Sequence, residues 1–160
     1  MTDLPSRDAG ASVTTMTELV MPSHANAFGG VFGGQIVAWM DLCAAICAQR
    51  HTGCTVTTAG IDELSFERPI KVGQVAQLTA RVTAAFRTSV EVLVRVDGED
   101  AKTREAWPCI TAFVTFVAVD DALRPTAVPG LLCRTDEDRA LAAAAAGRRA
   151  RRLEARTQPR

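Results

Sequence analysis

Asp41 is the residue whose surroundings call for a chemical explanation. Between Gln35 and Gln49 it is the only polar side chain in an otherwise apolar run. A carboxylate there is costly to desolvate, so either a partner satisfies it or a raised pKa is put to use. General-base catalysis is one such use; capping a loop amide or facing water at a subunit seam is the other. Seven residues earlier, Gly33 and Gly34 stand where a helix must begin. Helix starts expose unpaired N–H groups and a positive dipole end, which suit a developing oxyanion, and glycine lets a carbonyl come close to the backbone. Asn26, just upstream, can serve a substrate through its amide or bond its own backbone as turn asparagines do.

Rival chemistries fail on residue types. Gly29 to Gly34 is glycine-rich but lacks the Lys and Ser/Thr of a phosphate loop and the spacing of a dinucleotide fingerprint. No serine sits in a GxSxG elbow. Cys43 and Cys47 fall on the apolar helix and are expected in the core. The five cysteines, with no CxxC spacing, read as reduced thiols. His24 and His51 have no ligand-like neighbours, so neither a metal nor another cofactor is expected.

The elements that must position these residues follow from periodicity. Residues 1–13 are polar and expected to be disordered. Thr14 to Met21 can form a strand stopped by Pro22, and residues 22–34 a loop. Gly34 to Arg50 predicts a helix buried all round. Alternation then predicts strands over Thr55–Glu67, Gln74–Phe86, Ser89–Asp97 and Ile110–Val119, the last buried on both faces. The links Lys71-Val72-Gly73 and Arg87-Thr88 are too short for helical crossovers, so successive strands are expected to be antiparallel neighbours. The layout is α+β, a sheet wrapped around one helix. Residues 131–160 predict an Ala/Arg-rich helix or tail, either solvated or with arginines meeting a ligand phosphate or a neighbouring subunit.

Composition bounds the function. The 160 residues are 48% hydrophobic and carry 18 basic and 18 acidic side chains. That balance argues against nucleic-acid or membrane-surface binding, and no run of eighteen apolar residues or export signal is present. A cytoplasmic protein is expected.

Taken together, the blocks resemble a family. His24-Ala25-Asn26, Gly29, Phe32-Gly33-Gly34-Gln35-Ile36 and Ala38-Trp39-Met40-Asp41 are similar to the signature of brain-type cytosolic acyl-CoA hydrolases and small bacterial acyl-CoA thioesterases. Phe66-Glu67-Arg68-Pro69, Val72-Gly73 and the run Thr111 to Asp120 continue the likeness, which covers roughly Thr14 to Pro129. The resemblance implies a hot-dog fold over residues 14–130 and an acyl-CoA substrate. It also implies homodimers, commonly assembled as trimers of dimers, with active sites at the dimer seam. Asn26 of one subunit and Asp41 of the other would form the catalytic pair. Thr58 would help hold the attacking water, Gly34 would mark the oxyanion site, and Arg87, Thr88 and Ser89 would contact CoA. The sequence departs at Gly30, where relatives often carry Asn or Asp, and at Phe28, where many carry a polar residue. Two alternatives stay open: an acyl-thioester hydratase or dehydratase using His24, and an acyl-CoA-binding protein without turnover.

Overall fold

The computed structural model describes residues 4–62 and 64–157. In chain order these form β1 (Arg7–Asp8), β2 (Thr14–Leu19), α1 (Gly33–Thr52), β3 (Thr55–Ile61), β4 (Val75–Ala85), β5 (Ser89–Glu99), β6 (Ala106–Val119), β7 (Leu131–Leu132) and α2 (Asp136–Thr157). β2 to β6 make one antiparallel sheet in the order β2-β4-β5-β6-β3, curled around α1. This is the expected hot-dog arrangement.

The alternation seen in the sequence decides the inner face. Ala76, Leu78, Ala80 and Val82 of β4 and Val90, Val92, Val94 and Val96 of β5 are all buried. They pack with Ile110, Val114 and Phe116 of β6 against Ile36, Met40, Cys43, Ala44 and Cys47 of α1. Each of the larger of these, Val, Leu, Ile, Met or Phe, contributes about 1.5–3 kcal/mol when removed from water. Gly53, at φ 71°, ends α1 in the left-handed conformation, its N–H bonding the Gln49 carbonyl at 2.8 Å.

Four expectations need correction. Strand β3 does not pair with β4. The segment from Asp62 to Gln74 carries the chain across, so β3 lies beyond β6 as an edge strand. The relevant connection is this whole segment, not the three-residue link. Nor is α1 buried all round, because Gly34, Ala38, Leu42 and Gln49 are exposed and Asp41 and Ala45 half-buried along one stripe. Residues 7–13 are ordered: β1 pairs with β7, a 3-10 turn follows over Ala9–Ser12, and Arg7 Nη1 donates to the Arg50 and His51 carbonyls that end α1. Residues 1–3 lie outside the described residues.

The fourth correction concerns the tail. It is not a free, fraying helix, because α2 docks on the outer face of the sheet through Arg148 and Arg152. Thr135 and Asp138 cap its start reciprocally, each backbone N–H donating to the other's side chain at 3.0 Å. Burial pushes the Asp138 carboxyl up, but the amides of Thr135 and Arg134 and the Arg81 guanidinium outweigh it and hold it below the usual carboxylate range. Further along, Arg148 forks onto Glu91, a fully buried carboxylate of β5, at 2.7–3.2 Å. Arg152 bridges Glu91 at 3.1 Å and Asp62 at 2.8 Å, and Thr83 Oγ1 donates to Glu91 at 2.8 Å. Three donors, from β4 and α2, therefore satisfy the buried Glu91 carboxylate, and one of them also ties it to Asp62 after β3. No helix among the described residues is long and apolar enough to cross a membrane.

Candidate active site

Asp41 has its partner. Thr58 Oγ1 donates to Asp41 Oδ1 at 2.8 Å, joining the open stripe of α1 to the edge strand β3. The bond holds one carboxylate oxygen in place. The register of β3 against β6 shifts just after Thr58, between Thr58 and Gly60, as a bulge that re-aims an edge does. Asp41 is half-buried and Thr58 exposed, so this pair sits at the surface of a single chain.

The helix start lies elsewhere. Gln35 N–H bonds the Phe32 carbonyl at 2.9 Å and Ile36 N–H the same oxygen at 3.3 Å, which leaves the Gly33 and Gly34 amides without an intrahelical acceptor. A Cβ on Gly33 would meet the Phe66 ring at 3.3 Å, and one on Gly34 the Phe32 ring at 2.7 Å. Glycine thus lets two partly exposed phenyl rings close over the helix start. Seven residues of helix, roughly 10 Å of rise, separate the Gly34 amide from Asp41.

Asn26 performs the turn role anticipated for it and keeps a donor in reserve. Its Oδ1 accepts from the Phe28 and Gly30 amides at 2.9 and 3.3 Å, and its backbone exchanges bonds with Gly29 and Gly30. The side-chain NH₂ is not used by these bonds. Asn26 and Gly33 edge a cavity of about 250 Å³ lined mainly by apolar side chains, Val31, Ile36, Phe66 and Ile70 among them, with Glu67 and Arg68 also on its wall. Asp41 and Thr58 do not border it. Within one chain the structure therefore joins Asp41 to Thr58, and Asn26 to the helix start, but does not bring the two halves together.

The two histidines are otherwise employed. His24 Nδ1 accepts from the Met21 amide at 3.2 Å and its ring meets Trp39 edge-on, 5.1 Å between centroids. His51, buried at the end of α1, has Nε2 3.2 Å from the Pro129 carbonyl. Neither contacts Asp41. Burial pushes the Cys47 and Cys109 thiols up to about 11, and all five cysteines are free. At the β4–β5 turn, Arg87 is exposed and Thr88 and Ser89 half-buried, and their carbonyls accept from the Val128, Ala118 and Phe86 amides.

The apolar cavity and the α2 cluster escaped the sequence. The cavity unites residues from Val31 to Cys109 that no local pattern connects, whereas Glu91 among alternating valines was a visible signal.

Comparison with known proteins places this geometry. Residues 28–104 match the model of the thioesterase superfamily. Mouse acyl-coenzyme A thioesterase 11 is 37% identical over 86% of this chain; the chain spans about a quarter of that protein, 23% of its length. An apo hexameric acyl-CoA thioesterase is 35% identical, covers 98% of this chain and 100% of its own, and superposes with a TM-score of 0.93. The Staphylococcus aureus acyl-CoA hydrolase, solved with butyryl-CoA and CoA, is 33% identical over 95% of both chains with a TM-score of 0.86. That hydrolase has also been solved with alanine in place of an asparagine, an aspartate or a threonine, spaced 15 and 17 residues apart, as Asn26, Asp41 and Thr58 are here.

Proposed function

As the chain belongs to the acyl-CoA hydrolases of the thioesterase superfamily, we propose that it hydrolyses acyl-CoA thioesters to a free carboxylic acid and CoA. The observation that carries this is the Thr58–Asp41 hydrogen bond on an open helix stripe, with Asn26 at the spacing found in the Staphylococcus hydrolase.

Asp41 acts as general base. With Oδ1 held by Thr58, Oδ2 takes a proton from a water that attacks the thioester carbon. The carbonyl points at the Gly33 and Gly34 amides, and the Asn26 NH₂ adds a third donor to the oxyanion. Collapse of the tetrahedral intermediate breaks the C–S bond and releases CoA thiolate, which is then protonated. Gln35 is left out of the oxyanion site because its amide is already bonded to Phe32.

The two halves meet between subunits. The open stripe of α1, the unpaired outer edge of β3 and the exposed rings of Phe28 and Phe32 lie on the surface a second copy would cover. A two-fold axis there brings Asn26 and the helix start of one protomer to Asp41 and Thr58 of the other. The hexamers known among its structural neighbours favour three such dimers together. The CoA portion of the substrate lies along the Arg87–Thr88–Ser89 turn, and the acyl chain enters the cavity beside Asn26. A hydratase or dehydratase gains no support, since His24 is held by the Met21 amide and the Trp39 ring and His51 by the Pro129 carbonyl.

Release of free thiol from a series running from acetyl-CoA to palmitoyl-CoA tests the activity. Asp41→Asn is expected to lose about 10²–10⁴-fold in kcat while still binding substrate. Hydrolysis at the wild-type rate by Asp41→Asn would end this mechanism. Binding by the wild-type chain with no turnover would make it an acyl-CoA-binding protein instead.

A further inference from the structure

Strand β3 carries Thr58 but is held by the sheet on one side only. It pairs with β6, and its register slips between Thr58 and Gly60, with Ala59 as the inserted residue. A bulge on an edge strand breaks the ladder locally, so the aim of nearby side chains depends on what fixes the strand beyond it. Thr58 lies directly before the slip, and its hydroxyl meets Asp41 at 2.8 Å.

The fixing point is Asp62, four residues after Thr58. Its amide donates to the Phe113 carbonyl of β6 at 2.9 Å, and its carboxylate accepts from Arg152 of α2 at 2.8 Å. Among the described residues, Arg152 is the one cation paired with Asp62. The two side chains are 21% and 23% exposed, so this charge-assisted bond is only partly screened by water.

The grip has a firm base. The same guanidinium donates twice to Glu91 Oε2 at 3.1 Å, and Glu91 is fully buried and held also by Arg148 and Thr83. Arg148 lies 3.7 Å over the Phe113 ring. One residue of β6 therefore supports the ion cluster through its ring and Asp62 through its carbonyl.

We infer that Arg152 is a positioning residue for the reaction. From α2 it pins the far end of the bulged strand through Asp62, and so sets the Thr58 hydroxyl against Asp41. It acts through these residues and not on the substrate. The catalytic consequence rests on the thioesterase function proposed above; the grip on β3 does not. Helix α2, which lies outside the residues 28–104 matched by the family model, thereby gains a part in the site.

A double-mutant cycle on kcat separates positioning from general stiffening. Asp62→Ala leaves Arg148, Arg152 and Thr83 on Glu91, so α2 stays docked and the melting temperature is expected to change little. Its kcat should fall about tenfold with KM unchanged, less than the roughly 10²-fold that a misplacement of about 1 Å can cost. Arg152→Met should reproduce that fall and add little to Asp62→Ala. Thr58→Val removes the hydroxyl that the grip serves, so adding Asp62→Ala to it should cost almost nothing further. Full additivity of Asp62→Ala and Thr58→Val, or a wild-type kcat in Asp62→Ala, overturns the proposal. Hydrogen exchange reads the grip without turnover: β3 amides should exchange faster in Asp62→Ala and Arg152→Met, with β5 amides unchanged. If the wild-type chain hydrolyses no thioester, the enzymatic function fails, while faster β3 exchange in the variants still upholds the grip. Unchanged β3 exchange overturns the grip whether or not the chain is an enzyme.

Discussion

On the proposed mechanism Asn26 does two jobs with the two ends of one amide. Its Oδ1 fixes the loop through the Phe28 and Gly30 amides, and in the proposed mechanism its NH₂ serves the substrate. Asn26→Asp separates these roles, because a carboxylate keeps both loop acceptors but cannot donate. The variant is expected to melt as the wild type does and to lose about 10²-fold in kcat, the worth of an oxyanion donor, less than the loss for Asp41→Asn. A kcat near wild type would confine Asn26 to the turn. Asp41 was legible as a chemical residue because a lone carboxylate in an apolar helix is anomalous whatever its role. Thr58 was not legible on its own, since one threonine in the run Thr55-Val56-Thr57-Thr58 looks like any other strand residue. Only the family likeness singled it out, and its bond to Asp41 gives that likeness a physical content.

Elements were legible where one face alone decided them. The valines of β5 and the alternation of β4 predicted the inner face of the sheet. What the pattern could not reveal was that Glu91, on the opposite face, would be covered by a helix starting 45 residues later in the chain. The position of β3 was hidden for a related reason, since an irregular crossover carries no period. Removing Arg148 would strand a buried charge, so Arg148→Met is expected to cost about 3–5 kcal/mol in chemical denaturation. Combining it with Glu91→Leu should recover most of that loss, because an apolar pair replaces the ion cluster; no recovery would mean the arginine's stem, not its charge, holds α2. His51 supplies a pH dependence at the other end of the core. Burial holds its imidazole below the ordinary value of 6.5, the Pro129 carbonyl opposing and Arg7 reinforcing. The unfolded chain therefore takes up a proton first as pH falls. Stability from this residue is complete above pH 6.5 and declines as pH falls below it. Melting temperatures between pH 8 and 5 should show this decline, and His51→Gln should flatten it; an unchanged slope in the variant would assign the decline to other groups.

At the scale of the molecule, the proposed mechanism makes one chain carry two incomplete halves of a site. The sheet wrapped around α1 holds Asp41 and Thr58 on its open side and Asn26 with two free amides at the helix start, about two turns apart. The apolar stripe that made α1 read as wholly buried is explained if a second copy covers it. Single-chain patterning cannot distinguish a surface buried by folding from one buried by association, since the side chains required are the same. Co-expression of Asn26→Ala and Asp41→Asn chains tests the shared site most directly. In a mixed dimer with sites built across the seam, one site carries both substitutions and the other carries neither. Purified mixed dimers should then regain wild-type chemistry at one of their two sites, so that random pairing restores roughly a quarter of wild-type activity. Activity no higher than the mean of the two parent variants would contradict the account, placing Asn26 and Asp41 in the same chain's site or outside a common site altogether.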